Sequence, residues 1–201
     1  MSLTVQPFPG VIDELGFELP EALASLDDTR GLVEGDDEVE LSVVGPFPTY
    51  AADPREFVAQ GQIVAERTGW RALLQHGEIP RAVIDITFST AGEPRFGYRG
   101  QDPAKAFADA LDVAVGFAED EQRYDVRWLS LPGIYVTALW LRGETSIFVP
   151  TRSGGIERTH PEALSNDQLR EIVARLMETA VAQPEGGGEA RLADGPKSGF
   201  E

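Results

Sequence analysis

A chain of 201 residues, 42% hydrophobic and 25% charged, holds enough apolar material for one domain-sized core and too little length to expect two. It has no cysteine, which excludes disulfides, thiolate metal sites and a cysteine nucleophile and suits a reducing compartment. Thirty-four acids against seventeen bases give a net charge of −17, which disfavours direct contact with nucleic-acid phosphates or anionic lipid headgroups.

The opening Met1-Ser2-Leu3-Thr4-Val5-Gln6-Pro7 has neither the basic start nor the apolar stretch of a secretory signal. The most apolar run, Ile134 to Leu141, is eight residues long and includes Thr137, too short to cross a bilayer as a helix. A cytoplasmic location without membrane insertion is therefore expected. The charge is uneven: residues 1–40 hold eleven acids and a single base, Arg30. Of the seventeen bases only Lys105 and Lys197 are lysines, a bias that suits a GC-rich genome or a salt-adapted proteome.

Along the chain, Pro20 is suited to the first position of a short helix through Leu26. Gly35-Asp36-Asp37 reads as a turn before a strand, Val39 to Val44, that ends at Gly45-Pro46. Asp53 as cap, Pro54 as first residue and Glu56 three after the cap open a helix expected to run to about Gln75. Phe57, Gly61, Val64, Leu73 and Leu74 face inward in that reading, with Gly69 as a break inside the span. Ala82 to Phe88, rich in β-branched residues, predicts a strand. After the turn Ala91-Gly92-Glu93-Pro94, Arg95-Phe96-Gly97-Tyr98-Arg99 returns as the second strand of a hairpin.

Asp102-Pro103 repeats the cap-and-proline device and opens a helix to about Ala118, with Phe107, Leu111, Ala114 and Phe117 at helical spacing. The period then drops to two. Residues 126–131, 134–141 and 146–149 read as three consecutive strands, with Pro132-Gly133 and Arg142-Gly143-Glu144-Thr145 as turns. The middle strand is apolar on both faces, which requires a cover on both. Ser165 caps the last helix, Gln168 completes a capping box, and Leu169, Ile172, Val173, Leu176, Met177 and Ala180 form one stripe. From Pro184 the composition falls to Gly, Pro and charge, so 184–201 is expected to be a disordered tail on a single globular domain spanning 1–183, with 1–40 as its acidic N-terminal segment. The expected class is α+β: an antiparallel or mixed sheet with a C-terminal three-strand meander, packed by about three main helices at 54–75, 103–118 and 166–182.

Chemistry is sparse. Neither His76 nor His160 has a second histidine or a paired acid at ligand spacing, and Gly35-Asp36-Asp37-Glu38 lacks the order of a calcium loop, so no metal or other cofactor is expected. There is no nucleophile elbow, P-loop or dinucleotide fingerprint. Thr151-Arg152-Ser153-Gly154-Gly155 has the paired glycines of an anion nest, and the plainer reading is a loop. No residue is assigned a catalytic role.

Two features stand out. Arg95, Phe96, Tyr98 and Arg99 form a basic-aromatic arm in an acidic protein, suited to an acidic or aromatic partner. Trp128, Tyr135 and Trp140 load the meander with aromatics, which build the core unless one face lacks a cover. The candidate interaction surface is thus Arg95, Phe96, Tyr98, Arg99, Trp128 and Tyr135. The leading expectation is a non-catalytic protein-interaction module, an accessory, adaptor or assembly subunit that meets a protein partner through an aromatic and acidic surface. The alternatives are a hydrolase or transferase with a scattered carboxylate and arginine site including His160, and a small-molecule binder.

Overall fold

The Asp53-Pro54 signal works as local chemistry requires. In the computed structural model, which describes residues 3–6, 41–118 and 124–182, Asp53 is extended (φ −74°, ψ 120°) and its side chain accepts the Arg55 N–H at 2.7 Å. The helix it opens, α1 (Pro54–Gln60), stops after seven residues at Gly61. Gly61 is left-handed (φ 69°), and its N–H bonds the Phe57 carbonyl at 2.9 Å. The expected helix to Gln75 is therefore wrong beyond Gly61: Ala65–His76 is strand β3, and Val64, expected to face inward, is 60% exposed. A Cβ on Gly69 would collide with the Ile86 carbonyl oxygen, so the glycine that looks like a helix break instead lets a neighbouring strand approach.

Two strands precede α1, β1 (Leu3–Gln6) and β2 (Leu41–Ala52). β2 does not end at Gly45-Pro46; that peptide is cis and sits in a register shift between Val44 and Phe47, where a residue without an N–H is tolerated. After β3 come β4 (Ile79–Phe88), β5 (Pro94–Arg99), α2 (Gln101–Ala118), β6 (Asp125–Leu131), β7 (Val136–Arg142), β8 (Ser146–Ser153), β9 (Ile156–Glu157), β10 (Leu164–Ser165) and α3 (Asn166–Ala182). Helix α2 starts one residue ahead of Asp102, with the Ala104 N–H on the Gly100 carbonyl at 3.3 Å; Asp102 lies inside the first turn rather than capping it. Ile134 and Tyr135, expected at the head of the middle meander strand, belong to the turn before it. The box at α3 is reciprocal: Gln168 N–H to Ser165 Oγ at 3.3 Å, and Ser165 N–H to Gln168 Oε1 at 2.8 Å.

The strands form one mixed sheet in the order β10-β8-β7-β6-β2-β3-β4-β5, with β1 parallel to β2 and β9 antiparallel to β8. β2 is also parallel to β6 at Thr49–Ala51, and the other pairs are antiparallel. Alternation then sorts the core into two layers. On one face Phe47, Leu73, Val83, Trp128, Leu139 and Leu141 meet Phe107, Ala110 and Ala114 of α2. On the other, Leu129, Leu131, Val136, Ala138, Trp140 and Phe148 meet Phe57 of α1 and Leu169 and Val173 of α3. The middle meander strand is thus covered on both sides. Among the described residues two helices are long, and the third is the short α1.

Helix α2 touches both β4 and β8. Those strands stand five places apart in the sheet, about 24 Å if it were flat, whereas a helix with its side chains is about 10–12 Å wide. The sheet therefore curls around α2, and strands remote in the order converge at the end of the trough. The helix at 20–26, the turn at 35–37 and the tail at 184–201 lie outside the described residues. No helix among the described residues is long and apolar enough to cross a membrane.

Candidate functional site

Convergence at the N-terminal end of α2 produces the most chemically loaded place in the fold. Arg71 on β3 stands directly opposite Asp85 on β4 and donates from Nε to Oδ1 at 2.5 Å. Gly97 faces Asp85 from β5, and without a side chain there the diagonal neighbour Arg99 reaches Oδ2 through Nε at 2.8 Å. Arg71 also lies over the Trp128 ring, 4.3 Å from its centroid, while Phe107 of α2 meets the same ring edge-on at 4.7 Å. From the far side of the curl, Arg152 on β8 faces Glu157 on β9, Nε to Oε1 at 3.6 Å. Thr137 and Thr151 join hydroxyls at 2.9 Å. Arg71, Arg99, Trp128, Thr137, Thr151, Arg152 and Glu157, with Pro103 of α2, line a small cavity; Asp85, Gly97 and Phe107 are not part of its wall.

The electrostatics follow from burial. Arg71 is 7% exposed; desolvation lowers its pKa, and the adjacent Asp85 restores only part of the loss. Burial alone would raise the Asp85 carboxyl, but the charge and hydrogen bonds of Arg71 and Arg99 outweigh it and hold the group below the ordinary carboxylate range. Asp85 is therefore an ionised clamp between two guanidiniums, the reverse of what a general acid needs.

Of the residues nominated from sequence, Arg99 and Trp128 come together here. Trp128 is 3% exposed and sits beneath α2, because its side of β6 is covered. Arg95 is exposed and Phe96 and Tyr98 are half-buried on β5. Tyr135 stands apart, 66% exposed in the β6–β7 turn with φ 52°, its carbonyl accepting the Gly155 N–H at 3.3 Å. Arg71, Asp85 and Glu157 were not nominated. The one available signal was a carboxylate between Ile84 and Ile86 in an otherwise apolar strand. The segment from Thr151 to Gly155 does reach the cavity, through the side chains of Thr151 and Arg152.

Two open clefts lie on the opposite face of the meander. The larger, about 620 Å³, runs between the start of α1, the β6–β7 turn and the end of α3, with Val64, Pro132, Ile134 and Met177 as apolar wall and Asp53, Arg55, Glu56 and Glu66 among its polar lining. The second, about 390 Å³, is bordered by Arg127, Trp140, Arg142 and Asn166. Arg127 lies over both Tyr50 and Trp140, at 4.6 and 5.3 Å from the ring centroids. Among the described residues no three His, Asp or Glu side chains converge as metal ligands, and His160 is exposed. Compared with protein-family models, curated proteins and solved structures, the chain matches none.

Proposed function

We propose that the chain is a non-catalytic protein-interaction module, an accessory or assembly subunit, that seats a partner segment in the larger cleft. The observation carrying this reading is the pairing of an exposed apolar wall, with Val64 at 60% exposure, with three carboxylates, Asp53, Glu56 and Glu66, against one base, Arg55. Such a surface suits an apolar anchor followed by lysine or arginine, and the negative charge of the whole chain steers such a segment towards it. Met177 in the wall adapts its shape to the anchor. The enzymatic alternative draws little support from Asp85, which its two arginine partners keep ionised.

The test is affinity capture from the native lysate with the wild-type chain and with Val64→Glu and Met177→Glu. A stoichiometric partner lost from both variants supports the cleft. A partner kept by both moves the interface elsewhere. The cleft's volume also falls within the range of small-ligand pockets, which favours the small-molecule reading as runner-up. Native mass spectrometry of the purified chain separates the two, since a retained small molecule displaced by neither variant leaves the cleft without a role.

A further inference from the structure

The cavity beneath the first turn of α2 gathers donors in excess of acceptors. Arg71 and Arg99 share the two oxygens of Asp85, and Arg152 faces Glu157 across strands. Three positive charges face two negative ones, so the cluster is net positive by one in a chain of net charge −17. Two buried donors among the residues lining it, Trp128 Nε1–H and Arg152 Nε–H, have no hydrogen-bond partner among the described residues. Buried donors in folded proteins almost always have an acceptor. The neighbouring Thr137 and Thr151 hydroxyls are engaged with each other and with the Thr137 carbonyl.

One kind of occupant answers both the unpaired donors and the surplus charge: an acceptor bearing a single negative charge. A water supplies the acceptor but not the charge, and a cation is repelled. A large or multivalent anion does not fit, because the cavity is about 10 Å³, room for one small group. Arg99, with 46% of its side chain exposed, borders the same cavity and leaves a route from solvent. We propose that this cavity binds a small monovalent anion, a halide or the carboxylate end of a short acid, through Trp128 Nε1–H, Arg152 Nε–H and the surplus positive charge of the cluster. Binding joins the β8–β9 hairpin to the floor of the trough on β3 and β6.

Thermal unfolding of the full chain, with sodium gluconate replaced stepwise by sodium bromide at constant ionic strength, reads the site directly. Gluconate is too large to enter. Bromide is expected to raise Tm along a saturating curve, and crystals grown in bromide to show its anomalous signal within hydrogen-bonding distance of Trp128 Nε1. Trp128→Phe keeps a ring and removes the N–H, so its half-saturating bromide concentration is expected to rise roughly tenfold or more. Arg152→Met, which brings the cluster to neutrality, should abolish the response, whereas Arg152→Lys should keep part of it. A Tm that moves alike in the two salts, or an ordered water where the anomalous signal should be, overturns the proposal without any variant. So does an unchanged bromide response in Trp128→Phe. Sodium formate in place of bromide separates the sources: a saturating response to both assigns the site to small monovalent anions, and a response to bromide alone narrows it to halides.

Discussion

Trp128 and Trp140 belong to the same three-strand unit and are almost equally buried, 3% and 6% exposed, yet they sit in opposite kinds of chemistry. Trp140 faces α1 and α3. Phe148 stacks beside it at 6.0 Å, Tyr50 meets it edge-on at 6.0 Å, and its Nε1–H donates to Ser146 Oγ at 3.0 Å. Every demand its ring makes is met within the chain. Trp128 faces α2, takes a guanidinium on one face, and holds an N–H that no described residue accepts. Both have aromatic and cationic neighbours, so those contacts do not separate them. The indole nitrogen does: satisfied, it marks a residue whose task is packing, and unsatisfied beside three arginines it marks a place prepared for something else.

The largest effect expected from breaking the packed side is Trp140→Ala, which removes a large ring from between Phe148 and Tyr50 and should cost about 3–5 kcal/mol by chemical denaturation. A near-neutral result would mean that the layer under α1 and α3 collapses onto the gap, and that Trp140 is not the anchor its burial suggests. On the other side, Asp85→Asn keeps the shape but removes the charge between Arg71 and Arg99, and turns an amide N–H₂ towards one of them. With Arg71 only 7% exposed, the expected loss is about 3 kcal/mol, near the lower end for stranding a buried charge because Asp85 itself is 23% exposed. A much smaller loss would show that Arg71 finds water or Glu157 instead.

Asp85 also makes that loss depend on pH. Its folded-state pKa lies below the ordinary value of about 4, so its contribution is complete above about 4. As pH falls through the lowered folded-state value the carboxylate protonates and the contribution disappears. The stability gap between wild type and Asp85→Asn should therefore close as acid is added, and stay constant towards neutral pH. A gap that persists under full protonation would assign the effect to shape rather than charge.

The two sides also differ in what sequence could reveal. The cap-and-proline signal at α1 and the capping box at α3 act over three or four residues, and they placed Asp53, Ser165 and Gln168 correctly. The short apolar run of the meander, bounded by turn signals, put Trp140 among core residues, because run length and flanking turns are still local patterns. Strand β3 was misread for a physical reason: Trp70, Arg71, Ala72, Leu73 and Leu74 are all buried, so a strand covered on both faces loses its alternation and resembles a helix interior. Assigning Arg71 to a helix then hid its pairing with Asp85. Arg99 and Trp128 were singled out as surface candidates, but the cavity they share exists only because the sheet curls around α2, and no local pattern encodes that.

Ser146→Ala is the smallest of these changes, and it bears most directly on the comparison. It leaves the Trp140 ring in place and removes the acceptor of its N–H, giving Trp140 the unsatisfied indole that Trp128 already has, beside Arg127 and Arg142 in an open cleft rather than in the small cavity under α2. Stranding a buried neutral donor costs about 1–3 kcal/mol, and because Trp140 retains 6% exposure and borders a cleft, about 1 kcal/mol is expected. Adding bromide to this variant should restore nothing, since Arg127 is paired with Asp125 and Arg142 is exposed at an open cleft of about 390 Å³, where water serves both. If Ser146→Ala cost nothing, an unpaired indole N–H would be cheap in this sheet, and the case at Trp128 would rest on the surplus charge alone. If it costs about 1 kcal/mol and ignores bromide, while wild type responds to bromide through Trp128, the two tryptophans differ by ligand and not by packing.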